Sequence, residues 1–456
     1  MSALDQLFDR NNGTKFTENG DPAYYSTGSN LLDLLFMSEY YSKHVNEAKI
    51  GKSDKERMFS MFVRDPRYGL GRRDLGRHLM RMSGVSLKDV VKAGRFDDVF
   101  GFENWMPFMG EQIEAGNELA KKWAPRYSSK DLLLARDFAQ YLGLNKQQYG
   151  KFVKAKTVER CLSSKNTGII QFEHVPSLAL IKYYKRFITK QDTAKRFKEY
   201  LDGVKSGKKT LHVATTSVYD IYRNRYSIDP DLFFDKIEKI AINCVPIVDT
   251  SSSMTWREAN DAYGKAIAIG HYLAKCSTFA PNQVVTFSSC PQLVTLGESP
   301  KPVNNGYSSI HPRNLNGLTG YMREVESMHT GDCSNTDFGA VMDLFMNLET
   351  FPEYLVVLSD QEFDEGSCQS KDVLRKMWAE KGYTTKIVWW NLNSRNTTVP
   401  ETDKDGNVFI SGYNPMLLKF LEAGFDGNKF LDKLLGEYEK AVYGTRSDNE
   451  LLNISW

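Results

Sequence analysis

Apolar residues recur at helical spacing through the first half of the chain, up to about residue 240. Leu180, Tyr184 and Phe187 fall at i, i+4 and i+7, which places them on one face of a helix between residues 176 and 190. A second stripe with the same period follows between residues 197 and 204. Short polar turns, rather than strand-like alternation, separate these segments. The pattern predicts an array of paired helices.

The period changes near residue 240, where IAINCVPIV (240–248) is a continuous apolar run of strand length. Such runs are typical of parallel strands that are buried on both faces. The segments that follow are predicted in chain order as helix 256–275, strand 284–287, strand 354–358, helix 371–381, strand 387–390 and helix 431–442. This alternation predicts a doubly wound parallel sheet with helices on both faces. We therefore expect a multidomain α plus α/β protein, with a helical domain over 1–238 and an α/β domain over 239–456.

Composition excludes several classes of protein. The chain has 456 residues, of which 41% are hydrophobic and 25% charged, as in ordinary globular proteins. No apolar run reaches the roughly 18–20 residues that a membrane-spanning helix needs, and the first residues lack the pattern of a signal peptide. The six cysteines are widely spaced and never form a C-x-x-C pair, which is typical of a reducing compartment. These features predict a cytoplasmic protein without membrane association, with a virion as the alternative location.

Charge is distributed unevenly, although the net charge is only +2. Residues 1–240 carry 41 Lys and Arg against 30 Asp and Glu, whereas residues 241–456 carry 18 against 27. The excess is concentrated between residues 151 and 225, with 17 basic and 6 acidic side chains. Basic helix faces can neutralise phosphates, and interleaved aromatic rings can stack on unpaired bases. RNA is therefore the predicted partner; the alternative is a solvated basic face over an aromatic core.

The residues predicted to bind RNA are basic positions of this region. They are Lys151, Lys154, Lys156, Lys182, Lys185 and Arg186. The interleaved aromatic residues are Phe152, Phe172, Tyr183, Tyr184, Phe187 and Tyr200.

Oxygen-bearing side chains follow the strands of the second half. Asp249, Ser251 and Ser253 form a D-x-S-x-S pattern after the first strand, Asp360 ends the strand YLVVLS, and Thr336 precedes a helix. In an open parallel sheet, ligand sites form outside the carboxyl ends of the strands. Carboxylates and hydroxyls are donors that hard cations such as Mg²⁺ prefer. The sequence predicts a metal site; the alternative is that Asp249 and Ser251 only cap the next helix.

This constellation resembles the metal-ion-dependent adhesion site of von Willebrand factor A domains. Asp249, Ser251 and Ser253 match the first loop of that site, Thr336 the threonine of the second, and Asp360 the aspartate of the third. The resemblance implies bound Mg²⁺ or another divalent cation, whose sixth coordination position takes an acidic group from a partner protein. It also implies a binding module rather than a catalyst.

Further motifs, spread over residues 20–425, resemble those of TROVE proteins, the family of the Ro autoantigen, and of an uncharacterised relative of that group. In chain order they are TGSNLLD (27–33), RD with Gly69, Gly71 and Arg72 (64–72), GRFDD (94–98), KWAP (122–125), HVPS (174–177), LSD with Phe363 and Asp364 (358–364) and SGYNP (411–415). Phe96 stands where the family usually has tryptophan. TROVE proteins combine a ring of HEAT-like helix pairs with a von Willebrand factor A domain, and they bind small structured RNAs and the ends of misfolded RNAs. The resemblance implies such a ring here.

The expected function is therefore that of a TROVE-type RNA-binding protein, which holds single-stranded or structured small RNA on basic helices. The alternative is a structural or protein-interaction module, for example in a virion or another large assembly, that binds an acidic partner group through the metal site. Enzymatic activity and a small-molecule substrate are not expected, since the sequence has no histidine paired with a nucleophile and no phosphate-binding loop. The acidic residues Glu362, Asp364 and Glu365 are interpreted as a solvated loop; the alternative is that, with the metal, they activate water for phosphodiester cleavage.

Overall fold

The structure is a computed structural model of the chain. It describes residues 14–16, 22–24, 29–66, 68–128, 130–155, 157–211, 213, 216–255, 261–287, 291–304, 309–310, 313–330, 338–345, 350–360, 379–382, 384–392, 401–402, 408–413, 418, 420 and 427–444.

The helices and strands of these residues are numbered in chain order. The helices are α1 Asn30–Phe36, α2 Ser38–Lys43, α3 Asp54–Arg64, α4 Arg73–Ser83, α5 Leu87–Ala93, α6 Trp105–Glu114, α7 Glu118–Trp123, α8 Leu132–Tyr141, α9 Lys146–Phe152, α10 Val158–Ser163, α11 Ser177–Thr189, α12 Gln191–Lys205, α13 Val218–Asn224, α14 Pro230–Phe234, α15 Ala262–Cys276, α16 Gly320–Ser327, α17 Phe338–Phe345 and α18 Gly427–Tyr443. The strands are β1 Thr14–Phe16, β2 Pro22–Tyr24, β3 Cys244–Asp249, β4 Gln283–Phe287, β5 Gln292–Thr295, β6 Val303–Asn304, β7 Ser309–Ile310, β8 Tyr354–Ser359, β9 Lys386–Asn391, β10 Glu401–Thr402 and β11 Val408–Ser411.

The chain forms two compact units, each assembled from two separate stretches of sequence. The sheet unit comprises Met1–Tyr40 and Thr216–Phe430, and the helical unit comprises Tyr41–Thr215 and Leu431–Trp456. This division differs from the single boundary predicted between residues 238 and 239.

Long-range packing explains the difference. Phe36 of α1 contacts Phe420, with 5.1 Å between the ring centres, so this N-terminal helix packs within the sheet unit. Within the helical unit, Tyr438 of α18 packs edge-on against Phe62, at 5.5 Å between ring centres. Local periodicity predicts α18 as a helix, but it does not show which core α18 or α1 completes.

Seven of the described strands form one sheet, in the order β10–β11–β9–β8–β3–β4–β5. The inner strands from β11 to β4 run parallel to their neighbours, whereas β10 and β5 are antiparallel edge strands. The register pairs Val248 with Leu358 and Leu358 with Trp390. The carboxyl ends of β3, β8 and β9 therefore lie side by side, where a ligand site is expected.

Helices cover both faces of this sheet. On one face, alternate strand residues pack with α17; this cluster contains Val245, Ile247, Val285, Phe287, Val341, Met342, Phe345, Leu355, Val357, Ile387 and Trp389. On the other face α15 lies against β3 and β8. There Gly270 is required, because a Cβ at this position would overlap Val248 Cγ2. The expected sheet with helices on both faces is confirmed, but the sheet is mixed rather than wholly parallel, because its two edge strands run antiparallel to their neighbours.

The predicted elements agree with the observed ones where the burial pattern is local. β4, β8 and β9 match the predicted strands to within one residue at each end, whereas β3 begins at Cys244 rather than at residue 240. In the helical unit α11 packs on α12, and the predicted stripe of Leu180, Tyr184 and Phe187 is buried between them. Most of the predicted helix 371–381 lies outside the described residues. No helix of the described part is both long and apolar enough to cross a membrane.

Candidate metal centre and basic surface

Asp249, the last residue of β3, is completely buried. Its Oδ2 accepts a hydrogen bond from the Ser359 hydroxyl (2.6 Å), and its Oδ1 accepts one from the Ser251 backbone N–H (2.9 Å). The second bond closes an Asx turn, which bends the chain at the end of the strand. Two neighbouring strands thus fix this carboxylate at the carboxyl edge of the sheet.

Asp360 directly follows β8 and is 5% exposed, so a second carboxylate is buried at the same edge. Burial is the main cause of a raised pKa of about 7 for Asp249, and the negative charge of Asp360 acts in the same direction. Hydrogen bonds from Ser251 and Ser359 oppose this shift of the pKa. A cation between the two carboxylates would remove their repulsion.

Two hydroxyl groups follow Asp249 in the chain, and that of Ser251 interacts with its carboxylate. The hydroxyl oxygens of Ser251 and Ser253 lie 3.0 Å apart, and Ser253 is half-buried. Together with Asp249 and Asp360 they form a donor set of oxygen atoms, which suits Mg²⁺ and other hard cations. Thr336, the remaining predicted ligand, lies outside the described residues.

The alternative assignment of Asp249 and Ser251 to a helix cap finds no support in α15. Asp261 is the cap of this helix, and its carboxylate accepts a hydrogen bond from the Gly264 N–H (3.3 Å).

The described residues contain no group of three or more His, Cys, Asp or Glu side chains that could hold a metal. The predicted site differs from such a group in composition, because it has only two carboxylates and takes its other donors from hydroxyls.

Two polar residues of this edge were not predicted to belong to the metal site. Ser359 is paired with Asn391 in the register of β8 and β9, and both are buried. Ser359 holds Asp249, as described above. The position of Ser359 beside Asp249 could have been predicted from the sequence. The run YLVVLS places a hydroxyl residue level with the aspartate that ends the neighbouring parallel strand.

The residues predicted to bind RNA lie in the helical unit. Lys151 is in the last turn of α9, Lys154 follows shortly after it, and Lys182 and Lys185 share one side of α11; all four are exposed. Lys156 lies outside the described residues. These lysines are placed where a polyanion in solution can reach them.

Arg186 has a different environment from the neighbouring lysines. Its guanidinium donates two hydrogen bonds of 2.9 Å to the Asp192 carboxylate and one of 3.3 Å to the Thr193 hydroxyl. The hydrogen bonds between these side chains raise the pKa of Arg186 and lower the pKa of Asp192. The pair joins the end of α11 to the start of α12, which gives Arg186 a structural contact.

The aromatic residues of this region form a core rather than a stacking surface. Phe172, Tyr184, Phe187 and Tyr200 are buried. The ring centres of Phe172 and Phe187 are 5.2 Å apart, and those of Phe172 and Tyr200 are 5.9 Å apart. Helical periodicity directs these rings between the helices, so for these four residues the alternative holds: they form an aromatic core beneath the basic residues rather than a surface on which bases can stack. Tyr183 is half-buried, and Lys182 Nζ lies 5.1 Å from its ring centre.

Further exposed lysines lie on α12. Lys195, Lys198 and Lys205 recur at a spacing that places them on one side of the helix, together with the exposed Asp202. We refer to Lys182 and Lys185 of α11 and these three residues of α12 as the lysine faces.

Two parts of the chain match families that are described only as domains of unknown function. Residues 243–441 match one of them (DUF7788), and residues 118–233 match the other (DUF2828). Neither description names an activity.

The chain is also similar to individual proteins. It is 25% identical over 350 residues to the uncharacterized protein L728 of Acanthamoeba polyphaga mimivirus, a match that covers 66% of this chain and 57% of that protein. The chain thus matches less than two thirds of the length of this relative. Among solved structures, it is similar to the Ro (RSR) protein of Deinococcus radiodurans, with a TM-score of 0.39, 11% identity and coverage of 91% of this chain and 96% of that one.

Proposed function

We propose that the protein binds RNA through the lysine faces of its helical unit. The observation that supports this most directly is the set of five exposed ammonium groups on α11 and α12, with Asp202 as an acidic neighbour on the face of α12. Such groups neutralise phosphates of a nucleic-acid strand and release its counterions. Because the aromatic rings beneath are buried, contacts to the backbone dominate, and the binding depends weakly on base sequence. The motif resemblance to TROVE proteins, which bind RNA, points in the same direction.

Reversing two charges of α11 is expected to weaken RNA binding strongly. In the double variant Lys182→Glu/Lys185→Glu, the affinity for a single-stranded RNA falls at least about tenfold at ~50 mM salt, since two attractive contacts become repulsive. The slope of log K against log salt becomes shallower by about 1.4, because roughly 0.7 is lost for each phosphate contact with a single strand. Fluorescence anisotropy of a labelled RNA over a series of salt concentrations measures both quantities.

The matched control is Lys52→Glu/Lys88→Glu, which makes the same change of charge at exposed positions elsewhere in the helical unit. This control is expected to keep both the affinity and the salt slope near those of the unmodified protein. Equal losses in both double variants, or no RNA binding at ~50 mM salt, would contradict the assignment.

We also propose a second function, metal-dependent binding of an acidic partner group at the sheet edge. Asp249, Asp360, Ser251 and Ser253, with Thr336, would hold a divalent cation whose free position takes the carboxylate of a protein partner. The observation that favours this is the burial of Asp249 next to a second buried carboxylate, where a cation offsets the cost of two like charges. A protein partner lost in the presence of EDTA and in Asp249→Ala would support this function, and partners unchanged by both treatments would contradict it.

Mg²⁺ is expected to stabilise the folded protein through this site. A ligand that binds only the folded state at about 100 times its dissociation constant adds about 2.7 kcal/mol to the free energy of unfolding. Thermal unfolding with Mg²⁺ and with EDTA measures this increment, which Asp249→Asn should abolish. Asp235→Asn, at an exposed position of the sheet unit, should retain it. An equal increment in both variants would show that Mg²⁺ acts elsewhere.

A further inference from the structure

A second group of basic side chains in the helical unit is partly buried, unlike the lysine faces. Four arginines gather around two consecutive aspartates at the short turn that follows α5. We refer to these residues, with one adjoining tryptophan, as the arginine cluster: Arg64, Arg73, Arg77, Arg95, Asp97, Asp98 and Trp123.

Three of the guanidinium groups share the two carboxylates. Asp98 is completely buried; Arg64 Nε lies 2.8 Å from its Oδ2, and Arg77 Nε contacts its Oδ1. Arg77 Nη2 also lies 3.1 Å from Asp97 Oδ2, which Arg73 contacts as well. The carboxylates are therefore already engaged by Arg64, Arg73 and Arg77.

Arg95 is the remaining cation of the cluster. Its guanidinium lies over the ring of Trp123, with Cζ 4.5 Å from the ring centre, and among the described residues it forms no ion pair. Burial lowers the pKa of Arg95, and the positive charges of Arg64 and Arg73 act in the same direction, while the carboxylates of Asp97 and Asp98 oppose this shift. Lys122, 5.5 Å from the same ring centre, adds another positive charge, which Glu159 partly offsets.

The charges of the cluster do not balance. Three guanidinium groups pair with the carboxylates of Asp97 and Asp98, and the guanidinium of Arg95 lies close enough to Arg64 and Arg73 to be affected by their charge, so the cations outnumber the carboxylates that they contact. An ion-pair network with a purely structural role would match its charges, because uncompensated buried charge is costly. A dianion would restore the balance.

The cluster also offers a donor without a hydrogen bond and a route from solvent. Nε of Arg73 is buried and makes no hydrogen bond, its distance to Asp98 Oδ1 is 3.9 Å, and the side chain as a whole is 37% exposed. The side chain of Arg77 is 19% exposed. Guanidinium groups present paired N–H donors that match the oxygen atoms of a phosphate better than a single ammonium does.

We propose that the arginine cluster is a binding site for a phosphomonoester, with Arg73 and Arg95 as its direct ligands. A phosphomonoester carries close to two negative charges at neutral pH and has three acceptor oxygens, which fits both the surplus charge and the open donors. The same chemical group occurs on free phosphate compounds and at the phosphorylated end of an RNA strand. Binding in either form is separate from the contacts of the lysine faces.

Isothermal titration of the full chain with four probes tests this site: inorganic phosphate, adenosine monophosphate, and a ten-nucleotide RNA with and without a 5′-phosphate. The test variant is Arg73→Ala/Arg95→Ala, and its matched control is Lys52→Ala/Lys88→Ala. We expect the test variant to bind phosphate and adenosine monophosphate at least about tenfold more weakly, the factor for loss of a charge-assisted hydrogen bond. The control should bind both as the unmodified protein does.

A second variant keeps the test decisive if the double variant does not fold. Arg95→Lys retains the cation over Trp123 but lacks the planar fork, so it should fold and still bind phosphate several-fold more weakly. Preference for the 5′-phosphorylated RNA, lost in these variants, would identify an RNA end as the source of the phosphate. Binding of the small probes without that preference would identify a free phosphate compound.

Phosphate affinity that is unchanged in both arginine variants, or no binding of any phosphorylated probe at millimolar concentration, would overturn the proposal. Lys182→Glu/Lys185→Glu separates this site from the proposed RNA surface. It should keep the affinity for inorganic phosphate while losing affinity for RNA, so failure of one proposal leaves the other intact.

Discussion

Replacing Asp98 with alanine destabilises the helical unit by about 3–5 kcal/mol, the cost expected when one partner of a buried ion pair is removed. Arg64 is 2% exposed and would retain its charge without this carboxylate. The Arg95 backbone N–H, which donates to Asp98 Oδ2 over 2.7 Å, would also lose its acceptor. Because a typical domain is stable by only 5–15 kcal/mol, such a loss is large. Urea unfolding followed by circular dichroism measures it.

Asp137→Ala is the matched control for this variant, since Asp137 is an exposed aspartate on α8 of the same unit. Its free energy of unfolding should stay within about 0.5 kcal/mol of that of the unmodified protein. If Asp98→Ala unfolds at the same urea concentration as this control, the buried network does not stabilise the helical unit.

Acidification from pH 6.5 to pH 4 destabilises the sheet unit by about 3 kcal/mol through His329 alone. Burial, reinforced by the charge of Arg313, lowers the pKa of His329 from 6.5 to about 4 in the folded protein. The Tyr263 hydroxyl lies 2.6 Å from its Nδ1, and Glu326, which favours the charged ring, only partly offsets the shift. The unfolded chain takes up a proton below pH 6.5, but the folded chain does not. The contribution of His329 to stability is therefore full well above pH 6.5, falls as the pH drops from 6.5 towards 4, and decreases no further below pH 4.

The change that tests this is His329→Gln, compared with His174→Gln at an exposed position. Chemical unfolding of the three proteins is measured between pH 7 and pH 4. The glutamine at 329 should remove about 3 kcal/mol of acid sensitivity, while that at 174 should leave the profile unchanged. His271, which is also buried with a lowered pKa, keeps part of the sensitivity in both variants. Identical pH profiles for His329→Gln and the unmodified protein would contradict this account.

The parts of the fold that the sequence predicts are those in which burial follows a local period. β8, β9 and α11 were readable because each presents its buried side chains within a window of a few residues. The sequence did not predict to which of the two units α1 and α18 belong. It depends on contacts such as the one between Tyr438 and Phe62, which are separated by hundreds of residues in the chain.

The residues of the candidate sites can also be separated into those that the sequence predicts and those that depend on long-range contacts. Asp249 and Asp360 were predictable, because the ends of adjacent parallel strands meet at one edge of the sheet. The pairing of Arg186 with Asp192 was not, since it depends on the turn that begins α12. The clustering of positive charge around Arg95 could not be predicted from the sequence either, because the arginines come from three separate segments of the chain.

Ultraviolet crosslinking of RNA to the protein in cells, with mass spectrometry of the crosslinked peptides, tests the proposed RNA-binding function most directly. We expect RNA to be recovered with the protein and crosslinks to map to residues 177–205, the span of α11 and α12. Protein recovered without RNA, or crosslinks confined to the sheet unit, would contradict the proposal.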